Sequence, residues 1–182
     1  MRFQICRTMD RSDRVRYLMY TDACLEGVAG VVINMNNGRG IFWADDVGNL
    51  PRFKFEHRET QITALELICP LICFATFPEI LVDCQIDSFV DNDGASYILR
   101  KGFSKSEDRC MVAAKTWSIV AKARSAFFVW RVPSKDNPID GASRNDFEIP
   151  NRYGWERREI VIPETLQREL TVVDTAFCIN DE

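Results

Sequence analysis

The sequence predicts an α/β fold: a five-stranded mixed sheet, three antiparallel strands followed by parallel ones, with helices on both faces. Two observations lead to this. Three runs rich in β-branched and aromatic residues follow one another with only turns between them, as in an antiparallel meander. Two later strand-like runs are separated by stretches of helical spacing, the usual connection between parallel strands. A hydrophobic content of 46% and a charged content of 27% are ordinary for a globular domain, which sets aside a disordered or fibrous chain. The 182 residues suffice for one domain with a core and some extra chain.

Residues 1–14 read as a loose leader, polar and broken by charge, unlike a secretory signal. Residues 15–23, VRYLMYTDA, form the first strand, and residues 28–34, VAGVVIN, the second after a Glu26-Gly27 turn. Asn36-Asn37-Gly38 is a hairpin signal leading into a third strand at 39–44. Residues 59–77 carry apolar side chains at Ile62, Leu65, Cys69, Ile72 and Cys73, a helical spacing, with a kink expected at Pro70. Residues 80–90, ILVDCQIDSFV, read as the fourth strand. A short helix over 93–101 is stopped by Gly102. Ser106 with Glu107 and Asp108 starts a helix that runs to about residue 125. Residues 127–132 are the last core strand. Asn137 is then expected to cap a short helix with Pro138 at its first position and Asp140 at its third. The domain is bounded at 15–146. Residues 147–182 form an extension with a strand-like REIVIP and a helix near 163–170.

Several function classes fall away. The net charge of −4 argues against gripping nucleic acid by bulk charge, so any such binding needs a local basic patch. The seven cysteines are odd in number and scattered, with no C-x-x-C pair; buried free thiols in a reducing intracellular compartment are expected. His57 is the single histidine, which excludes a zinc site built on histidines. A catalytic metal would therefore need oxygen ligands, pointing to Mg²⁺ or Mn²⁺. The longest apolar run, residues 67–77, is too short to span a bilayer, so no membrane partner is expected.

Four acids stand out by position. Asp22 ends the first strand and Asp91 the fourth, where sites gather in α/β sheets. Glu66 lies between leucines in the most apolar helix, and Asp140 opens the final one. A carboxylate among apolar residues must be paired or metal-bound, and four acids at one spot repel unless cations intervene. Each has a plainer reading as a turn, cap or rim residue. Asp91 in particular competes with Asn92 and Asp93 to cap the next helix. Together they fit one topology. Cys69 and Cys73 are one helical turn apart, but with no second pair they read as core. Gly94 either admits a phosphate or is simply tolerated. The four tryptophans could stack on bases, though two or three are expected in the core.

The segments YTDACLEGVAGVVI, ITALELICPLI, FVDNDGASYILRKG and VPSKDNPIDGASR, in that order, resemble the ribonuclease H domain of retroelement reverse transcriptases, the tyrosine-recombinase type and its relatives. The resemblance spans roughly residues 15–146. It implies a ribonuclease H-like sheet and a metal site carried onto Asp22, Glu66, Asp91 and Asp140. It also implies hydrolysis of the RNA strand of an RNA–DNA hybrid with two Mg²⁺ or Mn²⁺ ions, about 3.5–4 Å apart, one activating water and one stabilising the leaving oxygen. The hybrid would be gripped by Lys101, Lys105, Arg109, Lys115 and Arg144, with Trp117 as a further candidate; an ordinary solvated face competes with that reading. Two departures are visible. Many cellular relatives carry a histidine before the last acid, where this chain has Pro133-Ser134-Lys135-Asp136. The basic protrusion of some relatives is reduced to residues 102–106. A polymerase domain or larger assembly is the other expected partner. The competing function is a domesticated subunit of the same fold with a structural or binding role. A third is a DNA-directed nuclease of that fold, told apart by the 2′-hydroxyl requirement.

Overall fold

The computed structural model describes residues 14–51 and 61–171. His57 and residues 1–13 of the expected leader lie outside the described residues. Three strands, β1 (Arg16–Ala23), β2 (Gly27–Asn34) and β3 (Gly40–Asp46), form the antiparallel meander. The β2–β3 hairpin closes as its sequence predicts: Gly38 takes φ +70°, and the Asn34 and Asn37 side chains accept from the backbone N–H groups of Asn36 and Arg39. β4 (Gln85–Val90) pairs parallel with β1, and β5 (Ala126–Arg131) parallel with β4. The sheet has six strands rather than five, in the order β5-β4-β1-β2-β3-β6.

The sixth strand is a correction to the expected REIVIP strand. Pairing with β3 falls earlier, on β6 (Glu156–Arg157). Trp155 fixes this register: it lies over Gly40, where an added Cβ would come within 2.4 Å of the indole. The chain then turns inward, and Ile160 and Ile162 pack on the core instead of continuing the ladder. The fourth strand is also shorter than expected. Residues 80–84 are a turn, because the N–H groups of Ile80 and Leu81 return to the Phe77 carbonyl and Asp83 takes φ +48°.

Strand alternation gives the sheet two different faces. Met19, Val28, Val32, Ile86 and Phe127 point to one side, where α1 (Ile62–Thr76), α2 (Asp93–Lys101), α3 (Glu107–Lys122) and α5 (Glu164–Thr171) complete the main core. α1 is buried along nearly all its length, and Pro70 lies inside it. Since proline has no N–H, the carbonyl of Glu66 loses its helical donor there. On the other side Ala29, Val31, Phe42 and Ala44 are covered by Ile139, Ala142, Phe147 and Trp155, from the segment that includes α4 (Glu148–Arg152). Residues of the expected extension thus join both apolar layers: Phe147 and Trp155 on one face, Leu166 and Leu170 on the other.

The last acid sits in a different element from the one expected. Residues 134–136 and 141–144 are 3-10 turns, not an α-helix capped by Asn137. Asn137 is buried, and its Nδ2 donates to the Thr21 carbonyl at 3.0 Å. The Nδ2 donation ties the turn to the end of β1, while Oδ1 accepts from the nearby Ile139 N–H at 3.4 Å, and no α-helix follows.

Candidate metal centre

Asp22 lies near the end of β1, and Asp91 just follows the neighbouring parallel strand β4. The asparagine beside Asp91 decides the latter's freedom. Asn92 Oδ1 accepts from the Ala95 N–H at 2.9 Å and caps α2, so the competition among Asp91, Asn92 and Asp93 goes to Asn92. Asp91 is left facing the site. Asp140 arrives on the docked turn. One carboxylate oxygen from each of Asp22, Asp91 and Asp140 lies within 4.8 Å of the other two.

Glu66 comes from α1 beneath them. Its Oε1 accepts from the Ala23 N–H at 3.1 Å, while its Oε2 is buried beside Asp91 with no donor within hydrogen-bond geometry among the described residues. Burial, then the charges of Asp91 and Asp22, push Glu66 up to about 10. Burial, opposed by a hydrogen bond from Ser143 and reinforced by Asp91 and Asp140, pushes Asp22 up to about 7. Both shifts arise first from burial, which penalises the charged form, and the neighbouring acids add to it. Arg144 is the cation at the rim, with Nη1 2.7 Å from Asp140 Oδ2. The centre thus offers carboxylate oxygens only, one of them buried and unserved. That donor set fits a hard divalent cation such as Mg²⁺ or Mn²⁺.

The turn bearing Asp140 is locked onto the sheet by close contacts. The Ser143 carbonyl accepts from the Cys24 thiol at 3.2 Å, and Cys24 Sγ accepts from the Gly27 N–H at 3.2 Å. Gly27 is required: a Cβ there would lie 2.2 Å from the Ser143 carbonyl oxygen. Sequence reading passed over Ser143 and took Gly27 only as a turn residue. The spacing of Ser143, three residues after Asp140, was the available signal.

The basic residues are scattered. Lys101 is exposed, its Nζ 5.2 Å from the Tyr97 ring centroid, and Lys105 is exposed in the α2–α3 connection. Exposed Phe103 and Tyr97 stand in the same region of sequence. Arg109 is half-buried on α3, and Lys115 ion-pairs with Glu169 of α5. Only Arg144 is brought to the acids. Trp117 is occupied by the core: its Nε1 donates to the Leu99 carbonyl and its ring meets Phe127 edge-on. Gly94 is packed tightly, since a Cβ would lie 3.1 Å from Thr63 Cγ2. Cys69 and Cys73 are fully buried, and Cys73 Sγ accepts from Trp43 Nε1.

No family model matches the chain, and no curated protein matches its sequence. Solved structures do. The N-terminal RNase H domain of a Mycobacterium tuberculosis protein, fused to maltose-binding protein, aligns with a TM-score of 0.51 at 10% identity, over 77% of this chain and 99% of that one. RNase H1 from the archaeon Halobacterium salinarum aligns with a TM-score of 0.48 at 9% identity, over 71% and 92%. An RNase H1 isolated from compost by metagenomics gives 0.45 at 15%, over 71% and 96%. The fold is ribonuclease H-like. No helix among the described residues is long and apolar enough to cross a membrane.

Proposed function

We propose that the chain is a metal-dependent endonuclease that hydrolyses the RNA strand of RNA–DNA hybrids, derived from a retroelement reverse transcriptase. One observation carries the reading: three acids from separate elements converge within 4.8 Å at the carboxyl ends of two parallel strands, above a fourth whose buried oxygen has no donor. Asp22, Glu66, Asp91 and Asp140 would hold two Mg²⁺ or Mn²⁺ ions, which when bound supply an activated water and charge stabilisation at the leaving oxygen. The chain's own contribution is to hold the carboxylates. β1 and β4 fix Asp22 and Asp91, α1 presents Glu66, and the docked turn brings Asp140. The names of the similar solved structures support a hybrid substrate for this fold. Lys101 and Lys105, beside Tyr97 and Phe103, are the proposed grip on its backbone and sugars.

Cleavage of a labelled RNA–DNA hybrid tests this. Removing a metal ligand forfeits several kcal/mol of transition-state stabilisation. Asp91→Asn should therefore lower the rate by roughly 10³-fold. The reading fails if a folded wild type leaves the RNA strand intact in both Mg²⁺ and Mn²⁺.

A role inside a larger assembly is the second reading, and the sheet itself favours it. Phe128 and Trp130 on the face of β5 turned away from the helices are about half exposed, at 47% and 51%. Exposed aromatics in such a row mark a surface that suits a protein neighbour. The two readings are compatible, since a polymerase domain could be that neighbour.

A further inference from the structure

Ser143 touches both acid-bearing elements with a single side chain. It is buried, and its Oγ lies 2.5 Å from Asp22 Oδ2 and 2.9 Å from the Asp140 carbonyl oxygen. A hydroxyl has one proton to give. The carboxylate is the stronger acceptor, so the proton goes to Asp22 whenever Asp22 is ionised. The same residue's carbonyl is held by the Cys24 thiol and pressed against Gly27. Ser143 therefore cannot follow a wandering Asp22; it is anchored through its backbone to the β1–β2 turn. Asn137, at the other end of the segment, is fastened to the Thr21 carbonyl. Asp140 thus lies between two fastened residues, and Ser143 is the one whose side chain reaches another acid.

We infer that Ser143 is a positioning residue for the divalent-cation centre: its hydroxyl fixes the rotamer of Asp22 and sets Asp22 and Asp140 at the separation a shared ion needs. This rests on the metal-site reading above. Ser143 makes no contact with the ion or substrate in this role. It acts through Asp22, as the outer partners of metal ligands do in general, whose loss costs about 10–100-fold in metal affinity or activity.

The test is a Mg²⁺ and Mn²⁺ titration without nucleic acid, followed by calorimetry and by the metal-induced rise in melting temperature. Wild type, Ser143→Ala and Ser143→Thr are compared, with hybrid cleavage measured in parallel against metal concentration. Ser143→Ala should need about 10-fold or more additional metal for half-saturation in both measurements. Its cleavage rate should recover substantially at saturating metal, and Ser143→Thr, which keeps the hydroxyl, should stay near wild type. Equal metal affinity in wild type and Ser143→Ala overturns the role of Ser143 and leaves the nuclease reading standing. A wild type that binds metal but cleaves no hybrid sinks the nuclease reading alone, because the metal titration still decides Ser143. A wild type that binds neither ion overturns both. Should Ser143→Ala be unfolded at the assay temperature, Ser143→Cys, which keeps the shape with a weaker donor, takes its place with the same expected direction.

Discussion

Asp87 and Asp22 are both buried carboxylates on the same face of the sheet, one strand apart, yet the protein treats them in opposite ways. Asp87 is served on both oxygens. Arg16 Nε and Nη2 each lie 2.8 Å from Oδ2, and Trp130 Nε1 donates to Oδ1 at 2.9 Å. Asp22 receives one hydroxyl, and Glu66 nearby receives one backbone N–H. The chain can therefore neutralise a buried acid with its own groups and does so at Asp87. At the carboxyl ends of β1 and β4 it leaves the charge outstanding. On the proposed metal-site reading, that difference separates an acid whose work is structural from acids that would take a cation.

The largest test of the contrast is Glu66→Gln, which should move activity and stability in opposite directions. The amide can still accept from Ala23 through its oxygen, and it is neutral at every pH, so folding no longer requires the proton uptake that burial and Asp91 impose on Glu66. Cleavage should fall by roughly 10³-fold, the cost of a lost metal ligand. Metal-free stability at pH 8 should rise. The sign follows from linkage. Glu66 and Asp22 bind their protons more tightly folded than unfolded, so their contribution to stability is complete below about pH 4. It is lost as pH rises, up to about 7 for Asp22 and about 10 for Glu66. Metal-free wild type should therefore melt lower at pH 8 than at pH 6, by a margin that Mg²⁺ reduces and Glu66→Gln diminishes. Thermal melts in chelator at the two pH values check this. A melting temperature of Glu66→Gln below that of wild type at pH 8 would break the contrast.

Arg16→Met probes the other side. It leaves Asp87, with a side chain only 6% exposed, to the Trp130 indole and a distant Gln85 amide at 3.5 Å. An uncompensated buried charge costs about 3 kcal/mol at the lower end of the usual range. Urea unfolding at pH 7 should show a loss of that order, while hybrid cleavage per folded molecule stays unchanged. A loss of activity exceeding the loss of folded protein would mean that the two acid sites are coupled after all.

How much of this was legible in the sequence divides by range. The meander, the helix over 93–101 with its Gly102 stop, and the placing of Asp22 and Asp91 at the ends of neighbouring strands could all be read because local spacing and strand ends encode them. What could not be read depends on contacts across the chain. Residues 80–84 have strand composition, but the Phe77 carbonyl captures their first donors. Asn137 looks like a helix cap and its Oδ1 does accept from Ile139, but its Nδ2 docks on Thr21, 116 residues away in sequence, and 3-10 turns follow rather than a helix. Nothing near Gly27 announces that the Ser143 carbonyl will occupy the place of its Cβ. Lys115 reads as a solvated cation, and only the fold brings Glu169 to it.

The smallest expected effect sharpens what the Asp87 cluster is for. Trp130 is half exposed, so its burial contributes less than a core tryptophan would. What holds it is the Nε1 bond to Asp87. Trp130→Phe keeps an aromatic ring on the strand and deletes that donor alone. Asp87 then retains Arg16, whose guanidinium already fills Oδ2, and loses its only strong partner at Oδ1. A hydrogen bond to a charged group contributes about 1.5–3 kcal/mol, and the partial exposure of this cluster places the loss toward 1.5. Arg16→Met should therefore cost more than Trp130→Phe, because the first removes the countercharge and the second only a dipole. Equal losses in urea unfolding would mean that the indole matters as much as the guanidinium and that the buried charge is tolerable only with both in place. The double variant would then lose little beyond either single one.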